Sequence, residues 1–555
     1  VKKVLIINLR RLGDVFSTAH LINSLSTNGE NQISLLTYKE SSKAAANLKN
    51  VTNLFEIDRK EIISLKTNKL FSDGFALEQL FNQILPIKEQ EWDQIINYSN
   101  DTVGAYLCSY LKDSSRVITG VHFGPERNII TQGEWELLFN DVLPVVKYAP
   151  VHFVDCYHKM TGIEVSKSGE KIRTRPDYNE AAFNHINNIR RGRNNTSEHN
   201  SKIVGIQLKT ADNAKDIPEN VLHDFINLIK NNSELIPLIL IAPNDEERRA
   251  AEAFNQTHNN ELIVVEADLI AIASVLMNID LLVTPDTAIK HIADLTDTPL
   301  LEVSLGHAPF LKQGSYSKDS LILTDVISNR EFVRNKSSTN VTNITAQDIL
   351  VSVLFALTKN RTIRPRLSHD VTLYQGSFDQ MGIRYSPVAG TVNTKIEIHR
   401  LMSRQLICSM FGQSIDTTLY QDVCNIDIAS AVAWTNLEKA AVTEVMKDLL
   451  GTLRAVIQST ESRKSSRDFV LNLGKLIGHI DNDCLVQIPV SIFKSKIESL
   501  NSKSQEENLK EAEVLLYELK ADMQKILQCL KELEAQIGSC KMEDMIKRNQ
   551  DSTKA

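Results

Sequence analysis

The run Val4–Leu5–Ile6–Ile7–Asn8–Leu9–Arg10–Arg11–Leu12–Gly13–Asp14 decides the fold. Four consecutive apolar residues without alternation suit a strand buried on both faces, as in a parallel sheet. A polar turn follows, then a helix-like stretch from about Val15 to Leu25. Further strands are expected at Gln32–Leu36, Asn53–Ile57, Gln94–Tyr98 and Arg116–Thr119, with helices such as Ser41–Leu48 and Leu77–Gln83 between them. Alternation of this kind predicts a parallel sheet with helices on both faces.

A second block repeats the pattern. Its strands are expected at Ile203–Leu208, Leu235–Ile241, Leu262–Val265, Leu281–Val283, Leu300–Ser304 and Ser320–Thr324, with helices starting near Pro218, Asp245, Leu269 and Asp286. A helix near Asn179–Ile189 and a polar linker, Arg190–Ser201, separate the blocks. The predicted domains are therefore 1–178 and 202–358, both Rossmann-like. After about residue 360 the character changes. Leu367–Val392 holds turn residues and short β-like pieces, and 393–555 reads as a mainly helical extension.

In that extension Leu509, Ala512, Leu516, Leu519, Met523, Ile526, Leu530, Leu533 and Ile537 are spaced alternately by three and four. This is a heptad seam. It suits either an intermolecular coiled coil, giving a homo-oligomer, or one helix of a bundle within the tail. The tail is expected to be separate and dispensable for the folding of 1–355, with self-association or partner docking as its job.

Composition bounds the rest. The 555 residues are 42% hydrophobic and 24% charged, an ordinary globular balance. The net charge of −7 disfavours nucleic acid as a partner of the whole chain. No stretch approaches the roughly 20 apolar residues of a membrane span, and the short run Val4–Ile7 does not suit a signal peptide. Seven dispersed cysteines with no CxxC pair fit reduced thiols in a cytosol.

Three loops fall at the carboxyl ends of predicted strands, where open α/β sheets bind ligands. In the first, Gly13 permits close backbone approach, and Asp14 suits a base taking a proton from an attacking hydroxyl. Spacing alone favours the alternative, a helix cap. The second is Thr284–Pro285–Asp286–Thr287–Ala288–Ile289–Lys290–His291, where a helix amino terminus suits a diphosphate. Asp286 suits a sugar hydroxyl better than phosphate. A capped helix with a core histidine is the plain alternative. The third holds Lys209, Thr210, Lys215 and Pro218, where a lysine can neutralise charge on a leaving diphosphate. A solvated lysine is the commoner fate.

Two open α/β halves joined by one linker have the GT-B arrangement. Together with these motifs, residues of about 1–355 resemble glycosyltransferase family 9, the lipopolysaccharide heptosyltransferases. The resemblance rests on Val4–Ile7 with Gly13–Asp14, on Lys215 and Pro218 as Lys-x-x-Pro, and on Asp286–Thr287–Ala288–Ile289–Lys290–His291 followed by Ala293 and Pro299. Gly306 matches a glycine ending the family's next strand.

The resemblance implies an inverting transferase of lipopolysaccharide biosynthesis. It would move a sugar, such as a heptose, from a nucleotide-diphosphate donor to a cell-envelope glycan, glycolipid or protein acceptor. Asp14 would be the catalytic base. Gly13, Thr210, Lys215, Asp286, Thr287, Ala288 and His291 would bind substrate. No cofactor is implied, and without an Asp-x-Asp motif no metal, Mg2+ included, is called for. The expected location is the bacterial cytoplasm, at the inner face of the inner membrane, with peripheral membrane contact only.

The chain departs from the family at three places. Ala288 replaces the motif's glycine, and its methyl narrows the room for phosphate. Ala19–His20 replaces a proline on the acceptor side, and the tail is extra. These departures support an alternative: a catalytically degenerate GT-B scaffold acting through its helical tail. A nucleotide-sugar epimerase is a third reading.

Overall fold

The computed structural model describes residues 1–67, 72–99, 101–124, 128–131, 133–144, 146, 148–166, 168–193, 201–305, 310–325, 342–358, 363–413, 426–462, 467–501 and 504–552. Contacts divide the chain into two compact units. One holds Val1–Gly124, His152–Phe378 and Gly382–Thr391; the other holds Pro125–Val151, Asp379–Met381 and Val392–Ala555.

The first unit contains two open sheets. In the amino-terminal sheet, β1 (Lys2–Ile7), β2 (Asn31–Tyr38), β3 (Val51–Ile57), β4 (Gln94–Asn97) and β5 (Ile118–Thr119) are all parallel, in the order β3-β2-β1-β4-β5. The run Val4–Ile7 lies buried at its centre. Strand order reverses between β1 and β4, so the crevice beyond their carboxyl ends is the switch point of this half.

The second sheet contains β6 (Lys202–Gln207), β7 (Leu235–Ile241), β8 (Ile263–Glu266), β9 (Leu281–Thr284), β10 (Leu300–Val303), β11 (Leu321–Thr324), β12 (Thr372–Asp379) and β13 (Gly382–Gly390). Their order is β8-β7-β6-β9-β10-β11-β12-β13. It is parallel as far as β11, and β12 then pairs antiparallel, Leu323 opposite Leu373. Its switch point lies between β6 and β9. The last two strands correct the expectation that residues 1–355 stand alone. The β-like pieces after residue 360 extend this sheet beyond β11, with β13 at the edge, and Val371 and Leu373 join its apolar core with Phe225, Ile226 and Ile349.

Helices relevant to the site are α1 (Leu12–Thr27), α2 (Phe153–Thr161), α3 (Glu219–Lys230), α4 (Ala288–Leu295) and α5 (Ala346–Leu357). Helix α1 begins three residues earlier than its apolar pattern suggests. Arg11 is its cap residue, which places Gly13 and Asp14 inside the first turn.

The second unit is helical. It includes α6 (Thr394–Met410), α7 (Ile428–Ser462), α8 (Gln487–Glu498) and α9 (Gln505–Ser552). All nine seam positions of α9, Leu509 to Ile537, are buried within the chain. Their side of α9 packs on α7, α8 and α6. The bundle arrangement therefore holds, and the seam is not left open for a second copy. Among the described residues no helix is long and apolar enough to cross a membrane.

Candidate active site

The loop after β1 is fixed by its own polar groups. Asn8 Nδ2 donates to the Asp14 carbonyl at 2.9 Å and to Thr18 Oγ1 at 2.6 Å. Leu9 N–H donates to Ser99 Oγ at 2.8 Å, and Arg10 Nε to the Ser99 carbonyl at 2.5 Å. Ser17 and Thr18 hydroxyls also donate to the Asp14 carbonyl. The Asp14 carboxyl is raised above the usual carboxylate range. Burial is the main cause, and the negative charge of Asp286 adds to it. Arg10, the Arg11 backbone N–H and the Arg11 side chain pull the other way. A desolvated carboxylate of raised basicity suits a general base. Arg11 holds the cap position of α1 without a side-chain cap bond, so Asp14 is not the cap residue that spacing alone favours.

The loop after β6 is self-bonded too. Thr210 N–H donates to Asp216 Oδ1 at 2.7 Å, and the Thr210 hydroxyl donates to the Asp212 carbonyl at 2.6 Å. That hydroxyl shapes the loop. The loop carries Lys215, on a single 3-10 turn Asn213–Lys215, to a buried position. Lys215 Nζ lies 2.7 Å from Asp286 Oδ2. Pro218 is the cap residue of α3. Lys209 stays largely exposed, 3.6 Å from Asp216.

After β9, Thr287 is the cap residue of α4, yet its side chain makes no cap bond. Its hydroxyl donates to Gln207 Oε1 at 2.6 Å, which also accepts from Thr284 at 2.8 Å. Ala288 is the first residue of α4. Asp286 meets two ammonium groups, Lys215 on Oδ2 and Lys290 on Oδ1, the latter at 2.5 Å. Burial works to raise its carboxyl, but the two lysines outweigh it and hold it well below the usual range.

The two halves meet here. A Cβ on Gly13 would lie 2.9 Å from His291 Cδ2, so only glycine lets α1 come this close to the ring. Burial, reinforced by Lys290, lowers His291 to about 3, so its imidazole is neutral at pH 7. It serves as a hydrogen-bonding group rather than a cation.

The sequence reading missed the polar belt behind this site. Lys290 is wholly buried and also donates to the Gln313 carbonyl at 2.8 Å. Glu302 accepts from Ser315 N–H at 2.9 Å, and Asp294 accepts from Tyr316 N–H at 2.9 Å. His152 Nε2 contacts the Gly314 carbonyl at 3.1 Å. The Tyr316 hydroxyl donates to Asp155 on α2 at 2.5 Å, and Ile383 N–H donates to the other Asp155 oxygen. Gly382, at φ +109°, leaves room for that carboxylate. His20 is enclosed by this belt, its ring centroid 4.7 Å from that of Tyr316. Acid and base types inside apolar runs, such as Glu302 in Leu300–Val303, were the available signal. Gly306 lies outside the described residues.

Residues 85–309 match the model of Glycosyltransferase family 9 (heptosyltransferase). That match marks a glycosyltransferase family 9 domain within the chain. Its family 9 region takes in Thr210, Lys215 and the Asp286–His291 motif, and Gly13 and Asp14 precede it. The chain is similar to a glycosyl transferase family 9 protein from Veillonella parvula at 14% identity, covering 65% of this chain and 98% of that one, with a TM-score of 0.49. It is similar to the E. coli ADP-heptose lps heptosyltransferase II at 14% identity, covering 64% and 98%, with a TM-score of 0.44. For E. coli heptosyltransferase WaaC with ADP the figures are 14%, 64% and 99%, and 0.43. No curated protein sequence matches.

Proposed function

We propose that this glycosyltransferase moves a sugar, with a heptose the first to try, from a nucleotide-diphosphate donor to a hydroxyl of a cell-envelope glycan or other acceptor. The observation that carries this reading is the meeting of two switch-point loops at Gly13 and His291. One loop brings a carboxylate of raised basicity, and the other brings a helix amino terminus beside a lysine.

In this reading Asp14 removes the acceptor hydroxyl's proton as its oxygen attacks the anomeric carbon. The bond from that carbon to the diphosphate oxygen breaks on the opposite face, so configuration inverts. Negative charge collects on the departing diphosphate, where Lys215 and the first N–H groups of α4 meet it. Asp286 and His291 orient the sugar. Protein groups meet the leaving charge, and no step is assigned to a metal. Membrane-associated glycan acceptors would be reached from the cytoplasmic face.

A panel of nucleotide sugars in a thermal melt tests the donor class, because a ligand bound only to the folded state raises its melting temperature. At least one should stabilise the parent, and Ala288→Gly should bind it as well or better. If no nucleotide sugar shifts the melt, the donor reading fails. Ala288 favours the second reading, a degenerate scaffold. That reading expects binding without release of nucleoside diphosphate under any acceptor.

A further inference from the structure

Lys290 is an unusual residue for its place. It lies in the first turn of α4 with its ammonium wholly buried, a setting that lysine avoids unless it is paired. Three oxygens surround it: Asp286 Oδ1 at 2.5 Å, the Gln313 carbonyl at 2.8 Å and Glu302 Oε1 at 3.4 Å. Asp286 in turn holds Lys215 at 2.7 Å on its other oxygen. Gln313 Nε2 lies 3.4 Å from that same oxygen. Charges therefore alternate from the site inward: Lys215, Asp286, Lys290, Glu302.

Only the outer end of this row is placed to meet a ligand. Lys215 and Asp286 keep about a tenth of their side-chain surface open, while Lys290 has none. Without Lys290, the full charge of Asp286 would fall on Lys215 and cancel it. An anion approaching Lys215 would then meet a neutral pair.

We propose that Lys290 is a positioning residue that neutralises Asp286 from behind, so that Lys215 keeps its charge for the diphosphate of the donor. This rests on the transferase reading above. The inner lysine also fixes the carboxylate's plane by holding Oδ1, which leaves Oδ2 for Lys215. Its own surplus is absorbed by Glu302, which is farther from the ligand side.

Inorganic pyrophosphate, titrated calorimetrically into the full chain, is the test. Lys290→Met alone would leave Glu302 and Asp286 short of a buried partner and risks misfolding. The double change Lys290→Met/Glu302→Gln removes opposite charges together. It should keep the melting temperature close to the parent's and weaken pyrophosphate about tenfold, as expected for the loss of one nearby charge at intermediate dielectric. The second variant, Lys290→Met/Glu302→Gln/Asp286→Asn, also removes the charge that the lysine cancels and leaves neither buried carboxylate unpaired. It should restore affinity to within about threefold of the parent. A merely structural lysine would not give that rescue. Equal binding by the first variant, or equally weak binding by the second, would overturn the proposal while leaving the transferase reading intact. Failure of the parent itself to bind would overturn both.

Discussion

His291 occupies the space beside Gly13 so closely that a methyl there would lie 2.9 Å from its Cδ2 and 3.1 Å from its Nε2. The pair joins the first turn of α1 to the first turn of α4, one from each half of the unit. Gly13→Ala should therefore displace the ring and cost about 1–3 kcal/mol, the usual range for overpacking. In a His291→Ala background the same change should cost under about 0.5 kcal/mol. Denaturant melts of the four proteins measure this cycle. Equal costs in both backgrounds would mean that the two residues do not touch in solution.

Asp294 gives a pH dependence of definite sign. Burial raises its carboxyl to about 7, although Ser315 and Tyr316 donate to it and pull it down. The folded chain thus holds a proton that the unfolded chain releases from about pH 4 upward. Asp294's contribution is fully present below that pH and is lost as pH rises toward 7. Asparagine mimics the protonated form. Asp294→Asn should be more stable than the parent at pH 8, by up to about 4 kcal/mol at ~1.4 kcal/mol per pKa unit, and the gain should shrink by pH 5. Melting curves that stay parallel across this range would contradict the assignment.

The two sheets were legible because buried parallel strands are written as short apolar runs, as in Val4–Ile7 and Leu235–Ile241. The seam of α9 was legible for the same local reason. Its partner was not, since a three-four spacing serves a coiled coil and a bundle equally. Lys290 escaped notice because a single lysine in a helix normally reaches water. Glu302 and Gln313, which enclose it, come from elements 12 and 23 residues away. Likewise Thr372–Gly390 reads as strand-like, but nothing local shows that it adds to the edge at β11. Lys215 was found from its motif, and its pairing with Asp286 required the folded chain.

The tail makes its own prediction. Leu516 and Leu530 are fully buried seam positions within the helical unit. Each change to alanine should cost about 2–5 kcal/mol. Because the seam is covered within one chain, the melting temperature of that unit should not depend on protein concentration. A rise with concentration would show mass-action coupling, and the intermolecular coil would then be the correct reading.

Asp14 is where the account is most exposed. The direct measurement is release of nucleoside diphosphate from a stabilising nucleotide sugar, in the presence of glycan acceptors, by the parent and by Asp14→Asn. The account predicts turnover by the parent, a loss of about 10²–10⁴-fold in the variant, and donor affinity and melting temperature little changed. Near-normal turnover with a lowered melting temperature would make Asp14 only a structural residue of the first turn of α1 and would contradict the mechanism.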